Sequence, residues 1–439
     1  MPHTQASPIA RVSFITMGCA KNEVDSARMR ARLLDSDYEI IDDPEQADAV
    51  IVNTCSFIQA ATEESIDAIL EVAGYENVAS SQAKLIVAGC MPSRYGADLE
   101  AELVEAGAFV PCADEGNIVS ILDGLFHVDR SILPDQGYQS ISPTEAAPVS
   151  AYVKISDGCD RFCAYCSIPY IRGRYHSFTY AEIEANVADL VSRGSKEIVL
   201  IAQDTGRWGN DFEEPSTLAH LMGALAEAFP DTWFRVMYIQ PEGVTDDLIE
   251  TVATHDNICN YFDLPFQHVN PTILKSMNRK GSAEAYNQLI ERIRTRIPDV
   301  AIRTTLIAGY PGETEDQFDE LCDFVEEADL DYIGVFAYSR EEGTHAFDLP
   351  NQVDEDEKAE RAQRLRDLCD DVCTPRIASR IDKRMSVLVC GEEEDGQLYG
   401  RAMCQAPDVD GVTYVSRGQV GDIIEVTISN TLLYEMEGE

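Results

Sequence analysis

Basic residues are scarce in this chain. Lysine and arginine total 34 against 78 aspartates and glutamates, a net charge of −44 over 439 residues. So negative a surface repels phosphate, which argues against nucleic-acid binding through a broad cationic face. It suits a strongly basic protein partner, and equally the general habit of an acidic proteome, since net charge speaks first to solubility. Long apolar runs are missing too: none approaches the roughly 20 residues that cross a bilayer. The amino-terminal stretch "MPHTQASPIARVSF" has no apolar signal core. A cytoplasmic protein with no membrane partner is expected. Histidine is thin, and its seven residues form no cluster. Thirteen cysteines, an odd number in a chain without an export signal, argue against a disulfide framework and for metal or cluster ligation plus buried thiols.

The stretch the chain is organised around is "KISDGCDRFCAYCSIP", residues 154–169. It sets Cys159, Cys163 and Cys166 at CxxxCxxC spacing. Three thiolates in one loop can hold three irons of a 4Fe–4S cluster and leave the fourth open to a small molecule. Zinc would want a fourth ligand, usually from a second CxxC at ribbon distance, and none follows.

Residues 11–125 alternate apolar runs with amphipathic stretches. "RVSFITMGC", "DAVIVNTC" and "KLIVAGC" read as buried parallel strands. Helices are expected near 22–35, 60–73 and 93–106, giving an open parallel α/β sheet. Each of the three strands runs out into a cysteine: Cys19, Cys55 and Cys90. Ligand sites gather beyond the carboxyl ends of such strands. Any one cysteine there has a plain packing explanation, but three at equivalent places point to a second three-thiolate cluster, also with an open iron. Cys112, after "AFVPC", is assigned a packing role at the same rim.

Residues 126–150 lack periodicity and read as a linker. From 151 the βα alternation returns. The runs "AYVKIS", "EIVLIAQDT", "WFRVMYI", "YFDLPFQ", "AIRTTLIAG" and "YIGVFAYS" predict six strands of an open, partial (βα) barrel. Active-site groups in such barrels sit at strand carboxyl ends. That rule brings Gln203, Asp204, Gln267, His268 and Arg303 to the mouth. In "TLIAGYPGET", Gly309 and its neighbours would let an adenine approach the backbone, or would only make a turn. Residues 353–373 predict one charged helix with Cys369 and Cys373 on one face, there for packing. Residues 374–439 are short alternating runs separated by turns, as in a small antiparallel barrel. From Arg376 to Glu439 this tail has six basic and twelve acidic residues.

The stretches "TMGCAKNEVDS", "VNTCSFI", "AGCMP" and "ISDGCDRFCAYCSIPYIRGR" resemble the methylthiotransferase family of radical S-adenosylmethionine enzymes. Within it, "QPEGVTDDLIE", "FDLPFQHVNPTILKSMNRKGS", "GVFAYSREEGTHAFDLPNQV" and "APDVDGVTYV" are most similar to members that modify an aspartate of small-subunit ribosomal protein twelve. Ala20, Ala27, Phe178 and Gln240 depart from the usual pattern. The resemblance implies three domains: an amino-terminal methylthiotransferase domain (11–125), a radical S-adenosylmethionine domain (151–373) and a TRAM-like barrel (374–439). It implies two 4Fe–4S clusters, one on Cys159, Cys163 and Cys166, the other on Cys19, Cys55 and Cys90. S-adenosylmethionine would be the cofactor, with Tyr165, Gln203, Asp204, Gln267, Arg303 and Gly309 as candidate contacts. Reductive cleavage of that cofactor would give a carbon radical, and the auxiliary cluster would present the sulfur. Expected partners are a basic ribosomal protein, an electron donor and a sulfur source. A tRNA adenosine is the alternative acceptor, disfavoured by charge. A non-catalytic iron–sulfur sensor or carrier is the reading from another class.

Overall fold

The computed structural model describes residues 8–130 and 146–439. Most of the expected linker, 131–145, and residues 1–7 lie outside the described residues. The described chain forms two compact units. One holds the amino-terminal part together with Cys166–Arg174, the other the remainder. No helix among the described residues is long and apolar enough to cross a membrane.

The first unit is a five-stranded parallel sheet. Its strands are β1 (Arg11–Thr16), β2 (Glu39–Ile40), β3 (Ala49–Thr54), β4 (Lys84–Gly89) and β5 (Ala108–Pro111), in the order β2-β1-β3-β4-β5. The β-branched runs of β3 and β4 are buried because helices cover both faces. Met29, Leu33, Ile118 and Leu122 pack on one face, Ile69, Val72 and Leu99 on the other. Helices α1 (Ala20–Leu34) and α2 (Gln59–Ala73) stand close to expectation. A short helix, α3 (Glu76–Ala79), follows. The helix predicted at 93–106 is instead two pieces, α4 (Cys90–Tyr95) and α5 (Ala97–Glu102), broken at Gly96, whose φ is +50°. The short strands β2 and β5 had no periodicity long enough to predict them.

In the second unit all six expected barrel strands are present: β6 (Ser150–Lys154), β9 (Glu197–Ile201), β10 (Trp233–Val236), β11 (Tyr261–Asp263), β12 (Ala301–Ala308) and β13 (Tyr332–Ala337). They form two parallel triplets, β10-β9-β6 and β11-β12-β13. A single parallel bridge from Phe234 to Ile258 links the β10 region to the approach to β11. A two-residue pair, β7 (Ser156–Asp157) with β8 (His176–Ser177), lies beside them. One apolar core runs through the barrel, from Ile198 and Leu200 to Phe266, Leu306 and Phe324.

The helix predicted over 353–373 runs from Glu355 to Ala378, through Pro375. Cys369 and Cys373 are buried on it, as expected. The tail closes into a barrel of β14 (Arg384–Glu392), β15 (Leu398–Ala402), β16 (Thr413–Val415), β17 (Ile423–Leu432) and β18 (Glu435–Gly438), in the order β14-β15-β16-β18-β17. One neighbour pair, β16 with β18, is parallel, so the barrel is not purely antiparallel.

Polar side chains fasten the tail to the amino-terminal ends of the barrel strands. Glu197, the first residue of β9, is fully buried between Arg235 of β10, at 2.9 Å, and Arg401 of β15. Burial alone would raise its pKa, but Arg401 and Arg235 hold it at about 2. Arg235 Nη1 also donates to the Met403 carbonyl at 2.8 Å. Tyr261 Oη donates to Asp410 Oδ2 at 2.7 Å, and burial pushes Asp410 up to about 6.

Candidate functional site

The carboxyl rim of the first sheet gathers the three expected cysteines. Cys19 caps the amino terminus of α1, Cys55 follows β3, and Cys90 opens α4. Gly18 turns the chain at φ +91°. A Cβ there would sit 2.4 Å from that of Cys55, so only glycine lets the two turns touch. Burial raises the Cys55 thiol, with the neighbouring Cys19 adding to the rise. Asn22 ties the rim together: its Nδ2 donates to the carbonyls of Met17 and Thr54, both at 2.9 Å. Cys55 is clamped by Ser65, whose Oγ accepts from its N–H at 3.0 Å and donates to its carbonyl at 2.8 Å.

Arg172, from the segment grouped with this unit, stands over the rim. Its guanidinium donates to Asn22 Oδ1 at 2.7 Å and to Asp25 Oδ2 at 2.9 Å, and lies 3.7 Å from Cys90 Sγ. The pairing cannot be read from the sequence, because nothing in "CAKNEVDS" or "YIRGR" announces the other stretch. The charge of Arg172 opposes the rise that burial imposes on the Cys55 thiol.

In the second unit, Cys159 and Cys163 stand in one loop; Cys166 belongs to the segment grouped with the first unit. Burial pushes the Cys159 thiol up to about 11. Asn278 holds the loop by donating to the carbonyls of Arg161 and Phe162, at 3.0 and 3.1 Å. Ala164 N–H donates to the Met277 carbonyl at 2.9 Å. Phe162 takes a left-handed φ of +47°.

Beyond the carboxyl ends of β9 and β10, Arg161 joins Asp204, at 2.6 Å, to Glu242, at 3.1 Å. Burial raises the Asp204 carboxyl, while Arg161 pulls it down. Gln203 is the expected mouth residue with the clearest unmet need. Both polar atoms of its side chain are buried without a partner among the described residues. Asp204 Oδ1, Gln240 Oε1 and Tyr338 Oη are in the same condition. Buried polar groups ordinarily find partners. Four such groups beyond the ends of β9, β10 and β13 fit a polar ligand such as S-adenosylmethionine. Tyr165 packs half-buried against the barrel core. Gln267 carries a φ of +71° and is fixed by main-chain bonds to Thr305 and Ile307.

One expectation changes. Arg303 is not at the mouth. It is the third residue of the eight in β12, and its guanidinium lies on Asp263, at 3.1 Å, and near Asp410 of the tail, at 3.5 Å. Gly309, at φ +76°, makes room for the protein itself: a Cβ there would stand 2.6 Å from Lys358 Cγ. His268 is tied down at one ring nitrogen, and its buried Nε2 has no hydrogen-bond partner among the described residues. Its Nδ1 accepts from the N–H groups of Val269 and Asn270, leaving Nε2 3.3 Å from Glu313.

Among the described residues no three His, Cys, Asp or Glu side chains converge tightly enough for a single metal ion. A four-iron cube binds each thiolate at a separate corner, so its ligands form a wider triangle.

Comparison with known proteins agrees with this layout. Residues 11–110 match "Uncharacterized protein family UPF0004", residues 153–325 the radical SAM superfamily, and residues 381–439 the TRAM domain. The "ribosomal protein uS12 methylthiotransferase RimO" of Geobacter sulfurreducens is 41% identical, covering 98% of both chains. The protein of that name from Clostridium kluyveri is 38% identical over 98% of this chain and 97% of its own. Among solved structures, the radical S-adenosylmethionine methyltransferase TsrM from Kitasatospora setae shares the fold, with a TM-score of 0.55 at 13% identity over 74% of this chain and 72% of that one.

Proposed function

Since this chain belongs to the methylthiotransferase family of radical S-adenosylmethionine enzymes, we propose that it adds a methylthio group to the β-carbon of an aspartate in ribosomal protein uS12. The observation that carries the reading is the rim of Cys19, Cys55 and Cys90 in a chain that also bears the CxxxCxxC loop. One thiol triad fits reductive cleavage of the cofactor, and the other fits a second 4Fe–4S cluster that holds sulfur. When bound, cluster and cofactor supply a carbon radical able to take hydrogen from an unactivated carbon.

The protein's own residues bind and orient. Gln203, Asp204 and Gln240 offer unpartnered polar atoms to the amino, carboxylate and ribose groups of the cofactor. Arg161 opposes the burial that raises Asp204 and holds its carboxyl group in place. Asn278 and Met277 fix the backbone of the cysteine loop, and a half-buried Tyr165 offers an apolar face to an adenine. Arg172 balances thiolate charge at the auxiliary rim. An electron donor, a sulfur source and a cytoplasmic setting with ribosomes at hand belong to the same proposal. The net charge of −44 favours a basic protein acceptor over tRNA.

Replacing Cys19, Cys55 and Cys90 together by alanine separates the two roles. The variant is expected to load one cluster and still form deoxyadenosine, with methylthio transfer abolished. Retained transfer would rule out a sulfur-carrying site at the rim.

A further inference from the structure

Four of the chain's 34 basic residues, Arg376, Arg380, Lys383 and Arg384, fall within nine positions. They run from the last turn of the helix Glu355–Ala378 to the first residue of β14. All four line one cavity of about 260 Å³ in the second unit. Among the described residues that line it, four are positive and one, Asp299, is negative. Asn260 and Asp299, also in its wall, stand just before β11 and β12. The cavity therefore lies at the amino-terminal ends of the barrel strands, away from the cysteine loop that follows the carboxyl end of β6.

Ordinary duties explain part of this cluster. Arg376 reaches Asp331 at 3.2 Å and Asp329 at 3.3 Å, and a cation there also suits the negative end of the helix. Arg380 gives its Nη2 to Asp331 Oδ1. Asp331 is fully buried, and its other oxygen accepts from the Ile302 N–H at 2.9 Å, so the Arg380 guanidinium is held from behind. Its Nη1 is left over. That atom is buried with no partner among the described residues, on a side chain only 8% exposed. Buried donors ordinarily find acceptors. Lys383 and Arg384 lie past the helix end, where its dipole no longer acts, and form no ion pair among the described residues.

We propose that this cavity binds one phosphate group, as inorganic phosphate or a small phosphomonoester. Arg380 supplies a fixed, buried N–H donor, and Lys383 and Arg384 supply charge from the exposed side. Arginine's planar fork suits phosphate oxygens. The volume falls below the roughly 300–1,000 Å³ of sites for drug-sized ligands, so the occupant is small. A nucleic-acid strand fits poorly, because its further phosphates would lie over the acidic surface of a −44 chain. The walls come from barrel loops, the helix end and β14, so the bound anion ties the tail to the barrel and stabilises the folded chain.

Titration calorimetry of the anaerobically reconstituted full chain with inorganic phosphate, at constant ionic strength, tests this. A single saturable site and a Tm that rises with phosphate are expected. Lys383→Gln combined with Arg384→Gln removes two cations that hold nothing else. It should leave the Tm without phosphate unchanged and weaken phosphate binding about tenfold, the worth of roughly one charge-assisted hydrogen bond. Arg380→Lys keeps a cation for Asp331 but loses Nη1, and should weaken binding by a similar factor. Glycerol 3-phosphate separates the two sources: binding tighter than phosphate names a phosphomonoester, and weaker binding names the free anion. No saturable binding, or unchanged affinity in the double variant, would overturn the proposal. Displacement of phosphate by a short RNA oligonucleotide would overturn the assignment to a small anion. Deoxyadenosine formation should be the same in the double variant and the parent, since the cavity is remote from the cysteine loop.

Discussion

At the scale of single residues, Gln203 and Arg303 make opposite predictions from the same starting rule. Both were expected at the barrel mouth. Gln203 lies just beyond β9 with its amide unpartnered, whereas Arg303 sits low in β12 between two carboxylates. Gln203→Ala should weaken S-adenosylmethionine binding about tenfold, the worth of roughly one hydrogen bond. Arg303→Met should leave that affinity unchanged and lower stability by about 3 kcal/mol, because Asp263 and Asp410 lose a buried partner. Equilibrium binding on the anaerobically reconstituted protein, with urea unfolding alongside, reads both. A tenfold loss of affinity in Arg303→Met with unchanged stability would restore it to the mouth. The gathering of Cys19, Cys55 and Cys90 at one rim was legible because each follows a strand of a parallel run. Arg303 was not, since its depth depends on where its strand begins, and β12 is longer than its neighbours. Arg172 and Asn22 were illegible as a pair for another reason: they lie 150 positions apart.

At the scale of elements, the six barrel strands could be predicted because each lies in a short run rich in β-branched or aromatic residues. The helix predicted at 93–106 could not be placed, since Gly96 in a left-handed conformation splits it into α4 and α5. How the tail attaches was also invisible, because Glu197 reads as an ordinary strand-opening carboxylate. Its folded pKa of about 2 against an ordinary 4.5 fixes the sign of its contribution. That contribution is fully present above pH 4.5 and is lost as pH falls towards 2. The span corresponds to about 3 kcal/mol. Glu197→Gln should therefore unfold at lower urea than the parent at pH 7, with the gap closing as pH drops from 4.5 to 2. A gap that stayed constant over that window would mean the carboxylate charge does not hold the tail.

At the scale of the whole molecule, charge is the feature that bears on the acceptor. A −44 chain attracts a lysine- and arginine-rich ribosomal protein and repels a phosphate backbone. The association rate with uS12 should fall as salt rises, since screening cuts the reach of the field to about 10 Å at 0.1 M. Neutralising Glu392, Glu393, Glu394 and Asp395, at the edge of the tail barrel, should slow encounter more than it speeds release. Stopped-flow rates across a salt series read both effects, and a salt-independent association rate would remove charge as the means of steering.

The central claim is the identity of the acceptor. The most direct test incubates the reconstituted enzyme, S-adenosylmethionine, sulfide and a low-potential reductant with purified uS12, and in parallel with tRNA, and follows both by mass spectrometry. The expected result is that uS12 gains one methylthio group in place of a hydrogen, at an aspartate β-carbon in fragment spectra, while tRNA is unchanged. Methylthiolated adenosine as the sole product would contradict it.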